Sequence, residues 1–214
     1  MIIAFHNFKG GVGSTTHAVH ACALARDLGI KVVGVSVDFK QDLPRFLASA
    51  QIPCVELDPK QETIDAELIV MDVQSHSEPP LWPNVWVLPI RDGTSNRSAE
   101  VVSDRLHGPL IWLGNEGWTA TVPAYLAEDV QLALPMPFSR AVCQAAEQEA
   151  VVWNIPELAR SAGALALRAS LTDVLRRAYV AAGVPLPPAL DPGPGLLGPE
   201  PVNAGPELAA SPGH

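Results

Sequence analysis

The chain has 214 residues, 48% of them hydrophobic and 17% charged, which is enough apolar surface for one core and too little charge for a disordered chain. The formal charge is −9, so net charge does not draw the protein to DNA or to an anionic bilayer. No stretch approaches the roughly 18 consecutive apolar residues of a membrane span. Met1 to His6 lacks the basic flank and long apolar run of a signal peptide, and the expectation is a cytoplasmic protein with no membrane contact. Cys22, Cys54 and Cys143 are widely spaced and form no CxxC pair, which points to buried thiols rather than a disulfide scaffold or a zinc site.

Taken in chain order, Ile2 to Phe5 reads as a buried strand, followed by a glycine-rich loop and a helix from about Thr15 to Leu28 with Gly29 in the place of a C-cap. Lys31 to Val37, Glu67 to Val73, Val85 to Ile90 and Leu110 to Leu113 read as further strands, with a sixth at Val130 to Leu134. Thr94 to Leu106, Ser139 to Val151 and Pro156 to Ala182 carry helical spacing. Apolar strands interleaved with helices predict an α/β fold, a doubly wound and mostly parallel sheet covered on both faces. Ligands of such sheets bind beyond the carboxyl ends of the strands. From Val184 onward the chain holds nine of its 21 prolines, no lysine or arginine, and no apolar periodicity. The organisation expected is a folded body over 1–182 and a flexible, disordered Pro/Gly-rich tail over 183–214.

The richest motif follows the first strand: Asn7-Phe8-Lys9-Gly10-Gly11-Val12-Gly13-Ser14-Thr15-Thr16, opening a helix. Glycines let the backbone turn its N–H groups inward, and a helix N-terminus adds partial positive charge, which together make a phosphate cradle. Against the pattern G-x-x-x-x-G-K-[ST] the stretch departs twice, with Phe8 for the first glycine and Ser14 for the lysine. On the loop alone, a strand–helix turn without a ligand is the competing reading.

Lys9 to Thr16 resembles the deviant Walker A motif of the ParA/MinD family of P-loop ATPases, KGGxGK[ST][ST], whose defining lysine precedes the glycines where this chain has Lys9. In that pattern the position of Phe8 is variable. Further segments resemble the family. Asp38, 24 residues after Ser14, fits its switch I and water-orienting aspartate, with Ser36 replacing an aspartate two residues earlier. Asp72 closes LIVMD in the manner of a Walker B aspartate, Asn115 resembles an adenine-contacting asparagine, and Pro135-Met136-Pro137 resembles a late loop beside the base. Between Asp38 and Asp72 lie 33 residues, a compressed spacing that trims one strand–helix unit.

The resemblance implies ATP or ADP with Mg²⁺ as cofactors. It implies that Lys9, Gly10, Gly11, Val12, Gly13, Ser14, Thr15, Thr16, Asn115 and Pro137 bind the nucleotide. Thr15, Asp38 and Asp72 then serve the metal, and Lys9 and Asp38 are the catalytic pair. It implies a nucleotide-dependent homodimer in which Lys9 reaches the partner subunit's phosphates. It also implies a centromere-binding or cargo protein as partner, and a function in DNA segregation or in positioning a protein assembly. Serine at position 14 cannot neutralise charge as lysine does, which predicts binding with weak hydrolysis. Two rivals stand beside this: a pseudo-ATPase scaffold with the same fold, and a P-loop amidation or ligation enzyme.

Other residues support paired readings. Asp42 reads as a switch residue or as a helix N-cap, and Gln74 to Ser77 as a second switch or a polar loop. His17 and His20 share a helix face but lack a third ligand, which favours packing over a metal site. Arg168, Arg176 and Arg177 on the last helix read as a solvated face or as a weak, non-specific DNA contact. The five tryptophans are not spaced as a stacking platform for single strands.

Overall fold

The computed structural model describes residues 1–37, 42–55, 64–73, 79 and 81–191. Asp38, Gln74 to Ser77 and residues 192–214 lie outside these, and with them the expectations for switch I, the second switch and most of the tail.

Seven strands form one sheet: β1 (Ile2–His6), β2 (Val32–Ser36), β3 (Cys54–Val55), β4 (Leu68–Val73), β5 (Val85–Ile90), β6 (Leu110–Gly114) and β7 (Val130–Leu132). Their order is β3-β2-β4-β1-β5-β6-β7, and every adjacent pair is parallel. The helices are α1 (Ser14–Asp27), α2 (Asp42–Ser49), α3 (Gly93–Ser103), α4 (Arg140–Glu147), α5 (Pro156–Ala159) and α6 (Ala162–Ala181). Successive strand residues point to opposite faces, and each face has its own core. Ile3, Phe5, Val70, Val87 and Ile111 pack with α1, α2, α4 and α6, whereas Ala4, Met71, Trp86, Leu88 and Trp112 pack with Ala99 and Val102 of α3. The doubly wound, parallel fold expected from the sequence is the fold observed.

The chain leaves β1 for β2 on one side and later returns to place β5 on the other, so β1 stands at the point where the winding reverses. This is where open α/β sheets open a crevice at their carboxyl edge. The ends of β1, β4, β5 and β6 meet there.

Three local features differ from the sequence expectation. The two-residue strand β3 was not foreseen, whereas α2 begins at Asp42, the residue that also reads as a helix start, with Pro44 in its first turn. The span expected as one helix from Pro156 to Ala182 is divided, since Ser161 adopts an extended conformation and its Oγ accepts the Ala164 N–H at 3.1 Å as the N-cap of α6. The packed body also continues past residue 182: Val184 and Leu186 lie against the core, Leu190 is buried, and Arg176 Nε donates to the Leu190 carbonyl at 3.0 Å. Prolines alone did not mark the end of packing.

Helix α1 is covered on nearly all sides, and this gives the histidines a structural task. His17 Nδ1 donates to the Gly13 carbonyl and His20 Nδ1 to the Thr16 carbonyl, each at 2.7 Å, and His20 Nε2 accepts the Val152 N–H at 3.1 Å. His17 also stacks on Phe5, and His20 meets Trp153 edge-on. Among the described residues no group of three or more His, Cys, Asp or Glu side chains is placed to hold a metal ion. Burial lowers both histidines from 6.5 to about 4. The unfolded chain therefore takes up protons below pH 6.5 while the folded protein does not until about pH 4, so stability is lost as pH falls through that window. We expect a loss on the order of 2 kcal/mol per histidine between pH 7 and pH 5. Urea midpoints at the two pH values check this, and an unchanged midpoint contradicts it.

Candidate nucleotide site

The loop between β1 and α1 is shaped by its glycines. Gly11 and Gly13 have φ of 76° and 93°, in the left-handed region where a side chain is strained. A Cβ on Gly13 would stand 2.7 Å from Asn115 Nδ2 and 3.2 Å from His17 Cε1, so glycine is required for space as well as conformation. Gly13 is also the N-cap of α1 and offers no side-chain cap. The first-turn N–H groups therefore remain available to an anion.

Two buried asparagines hold this loop to the sheet. Asn7 Nδ2 donates to the Pro89 carbonyl at 2.8 Å, and its Oδ1 accepts the Lys9 N–H at 2.9 Å. Asn115 Nδ2 donates to the Val12 carbonyl at 2.7 Å, and its Oδ1 accepts the Glu116 N–H at 2.9 Å. Asn115, expected as a contact of the base, thus joins the end of β6 to the loop across 103 residues of sequence.

Thr15 Oγ1 donates to Asp72 Oδ2 at 2.6 Å. Asp72 is 2% exposed at the end of β4, where it lies in register with Phe5 of β1 and Ser36 of β2. A hydroxyl and a carboxylate at the helix start are hard oxygen donors of the kind Mg²⁺ takes. These two residues fit the metal role expected of them.

The loop opens on a cavity of about 530 Å³, large enough for a nucleotide-sized ligand. Residues Lys9 to Thr16 line it, and Met136, Phe138, Val142 and Cys143 add a more apolar part of the lining. Pro137 does not line it; its neighbours Met136 and Phe138 do. Asp42, at the start of α2, Asp72 and Glu116 also face the cavity. Among the described lining residues Lys9 is the one cation, and Ser14 stands where a second would be expected.

Lys9 is held at the rim. Its Nζ lies 3.6 Å from Asp92 Oδ2. Asp92 caps α3, accepting the Ser95 N–H at 2.7 Å, and its carboxyl is held below the usual range by the Ser95 backbone and hydroxyl and by the Lys9 ammonium. Beside it, Arg91 pairs with Glu116. Asn7, Arg91 and Asp92 were not singled out in the sequence. The signal that marks them is position, since each lies within two residues of the end of an apolar strand.

The three arginines of α6 do not form one free basic surface. Arg168 lies 3.2 Å from Asp27 and over the Trp153 ring, Arg176 holds the Leu190 carbonyl, and Arg177 pairs with Asp173. Cys22 is buried, and burial pushes its thiol well up, as suits a core residue. Trp86 and Trp112 are core residues, while Trp82 is exposed. No described helix is long and apolar enough to cross a membrane.

A seven-stranded parallel sheet with a glycine-rich loop after β1 and an aspartate near the end of the neighbouring strand β4 is the fold also seen in solved structures of MinD and of partition proteins. The comparisons with solved structures agree. The chain is similar to the septum site-determining protein MinD of Pyrococcus horikoshii with Mg-ADP, with TM-score 0.61 and 16% identity over 86% of this chain and 99% of that one. It is similar to a Borrelia burgdorferi protein named for plasmid partition, bound to AMPPNP, with TM-score 0.57 and 11% identity over 82% and 98% of the two chains. The MinC:MinD cell division complex of Aquifex aeolicus gives TM-score 0.57 and 13% identity over 81% and 95%. At these identities the likeness is one of fold. No family model matches the chain, and no curated protein matches it.

Proposed function

We propose that this protein is a ParA/MinD-type nucleotide switch. It binds ATP with Mg²⁺ in the cavity above β1, hydrolyses it weakly, dimerises in the bound state through Lys9, and so engages a partner in segregating DNA or positioning a protein assembly. The observation that carries the reading is the Thr15–Asp72 hydrogen bond of 2.6 Å at the helix end of the glycine cradle. It brings a metal-competent oxygen pair to a cavity that is also lined by the glycine loop and by apolar side chains. Further support comes from structural neighbours bound to AMPPNP or Mg-ADP, and from one solved in complex with a protein partner, MinC.

When bound, Mg²⁺ would be held by Thr15 and Asp72 and would offset phosphate charge. The chain's own contributions are separate. Backbone N–H groups of Gly11 to Thr15 orient the phosphates, Met136 and Phe138 offer apolar surface to the base, and Lys9 supplies a cation. Its ion pair with Asp92 is exposed and therefore weak, so a phosphate of a second subunit's nucleotide competes with it readily.

The pseudo-ATPase reading is favoured by one specific observation, the excess of carboxylates over cations around a cavity that has Ser14 in its loop. Light scattering with and without Mg-ATP tests the switch. The parent chain is expected to pass from monomer to dimer with nucleotide, and Lys9→Ala to remain monomeric while still binding it. A parent chain that binds Mg-ATP and stays monomeric contradicts the switch and leaves the scaffold.

A further inference from the structure

Ser14 leaves the cradle without a cation, and the lining holds three carboxylates, Asp42, Asp72 and Glu116, against Lys9. A second cation lies just outside that lining. Arg91 directly follows β5, its Nη1 donates to the Gly11 carbonyl at 3.2 Å, and its Nε lies 2.6 Å from Glu116 Oε2. Its own N–H donates to Ser95 Oγ at 2.9 Å, which fixes the arginine's main chain to the cap of α3. The carbonyl of Gly11 and the N–H of Val12 belong to one planar trans peptide and point in opposite directions. Gly11 and Val12 both line the cavity, so a guanidinium that holds the Gly11 carbonyl also fixes the orientation of the Val12 N–H.

We propose that Arg91 is a positioning residue for phosphate binding, which locks the Gly11–Val12 peptide and places behind the loop the positive charge that Ser14 does not supply. This rests on the nucleotide-switch reading. Glu116 keeps the guanidinium in place and also offsets part of its charge. Arg91 is the right residue type for the task, since its planar fork binds a carbonyl and a carboxylate at once, as a lysine ammonium does less well.

Titration calorimetry with Mg-ATP tests the proposal on four chains: the parent, Arg91→Gln, Ser14→Lys and the double variant. Arg91→Gln is expected to weaken binding about tenfold and to flatten the salt dependence of affinity. With lysine at position 14 the same change is expected to cost less than about threefold, because the two cations serve one charge and their effects do not add. Equal losses in both backgrounds, or no loss in either, overturn the proposal. A thermal melt of Arg91→Gln without nucleotide that matches the parent separates this role from a general structural one. A melt well below the parent, with the loss of affinity fully accounted for by unfolded protein, also overturns it. A parent chain that does not bind Mg-ATP overturns both this proposal and the switch reading, whereas a parent that binds and an Arg91→Gln that binds equally well overturn only the role of Arg91.

Discussion

Replacing Ser14 by lysine is expected to raise the rate of ATP hydrolysis on the order of a hundredfold. Phosphoryl transfer leaves the protein little covalent work, so the barrier responds chiefly to charge placed against the phosphates. Removal of one such group from a preorganised site costs about 10²- to 10³-fold in rate. Here the cavity presents Lys9 against three carboxylates, and Lys9 is itself engaged by Asp92 at 3.6 Å. Ser14 opens α1 and lines the cavity, so a lysine at this position has open space before it rather than core. Single-turnover assays with Mg-ATP read the gain. An unchanged rate with intact binding means that charge at position 14 is not what holds hydrolysis back, and favours the scaffold reading.

The second large effect is expected at Asp72. Asp72→Asn keeps the shape of the side chain and an oxygen that accepts from Thr15, yet removes the charge that Mg²⁺ would meet. Loss of groups that orient metal ligands costs about 10- to 100-fold in metal affinity, and loss of a charge beside the ion belongs at the upper end. Nucleotide affinity measured in magnesium is expected to fall toward the value measured in chelator, where parent and variant bind alike. The observation that contradicts the assignment is a variant that retains the full magnesium-dependent gain. Because Asp72 is buried at a strand end, the comparison is made on protein whose melt without ligand stays close to the parent.

The parts of the fold that were legible in the sequence are those whose signal is local. The strands β1, β2, β4, β5 and β6 are short apolar runs, and the loop from Lys9 to Thr16 carries its glycines in one stretch. Where the determinant was a contact between distant segments, the sequence was silent. The two-residue β3 exists because it pairs with Gly34 and Val35 of β2, and no periodicity can be read over two residues. Leu190 is buried in the core that α1 and α6 share, and Arg176 holds its carbonyl, although the prolines around it look like those of the residues beyond Asp191.

The site divides in the same way. Thr15 and Asp72 were legible as separate motifs, and their 2.6 Å hydrogen bond joins them as the parallel register of β1 and β4 leads one to expect. Asn7, Arg91 and Asn115 tie the loop to three strand ends through hydrogen bonds that each span 80 or more residues, and nothing local marks those pairings. Asn115 is the instructive residue: its place at the end of a strand was readable, while its partner, the Val12 carbonyl, was not.

Titration of the parent chain with ATP in the presence of Mg²⁺ tests the central claim most directly. The account predicts saturable binding at one nucleotide per chain, weakened when magnesium is chelated. No binding at millimolar ATP contradicts it, and leaves the glycine loop as a turn between β1 and α1 with no nucleotide to hold.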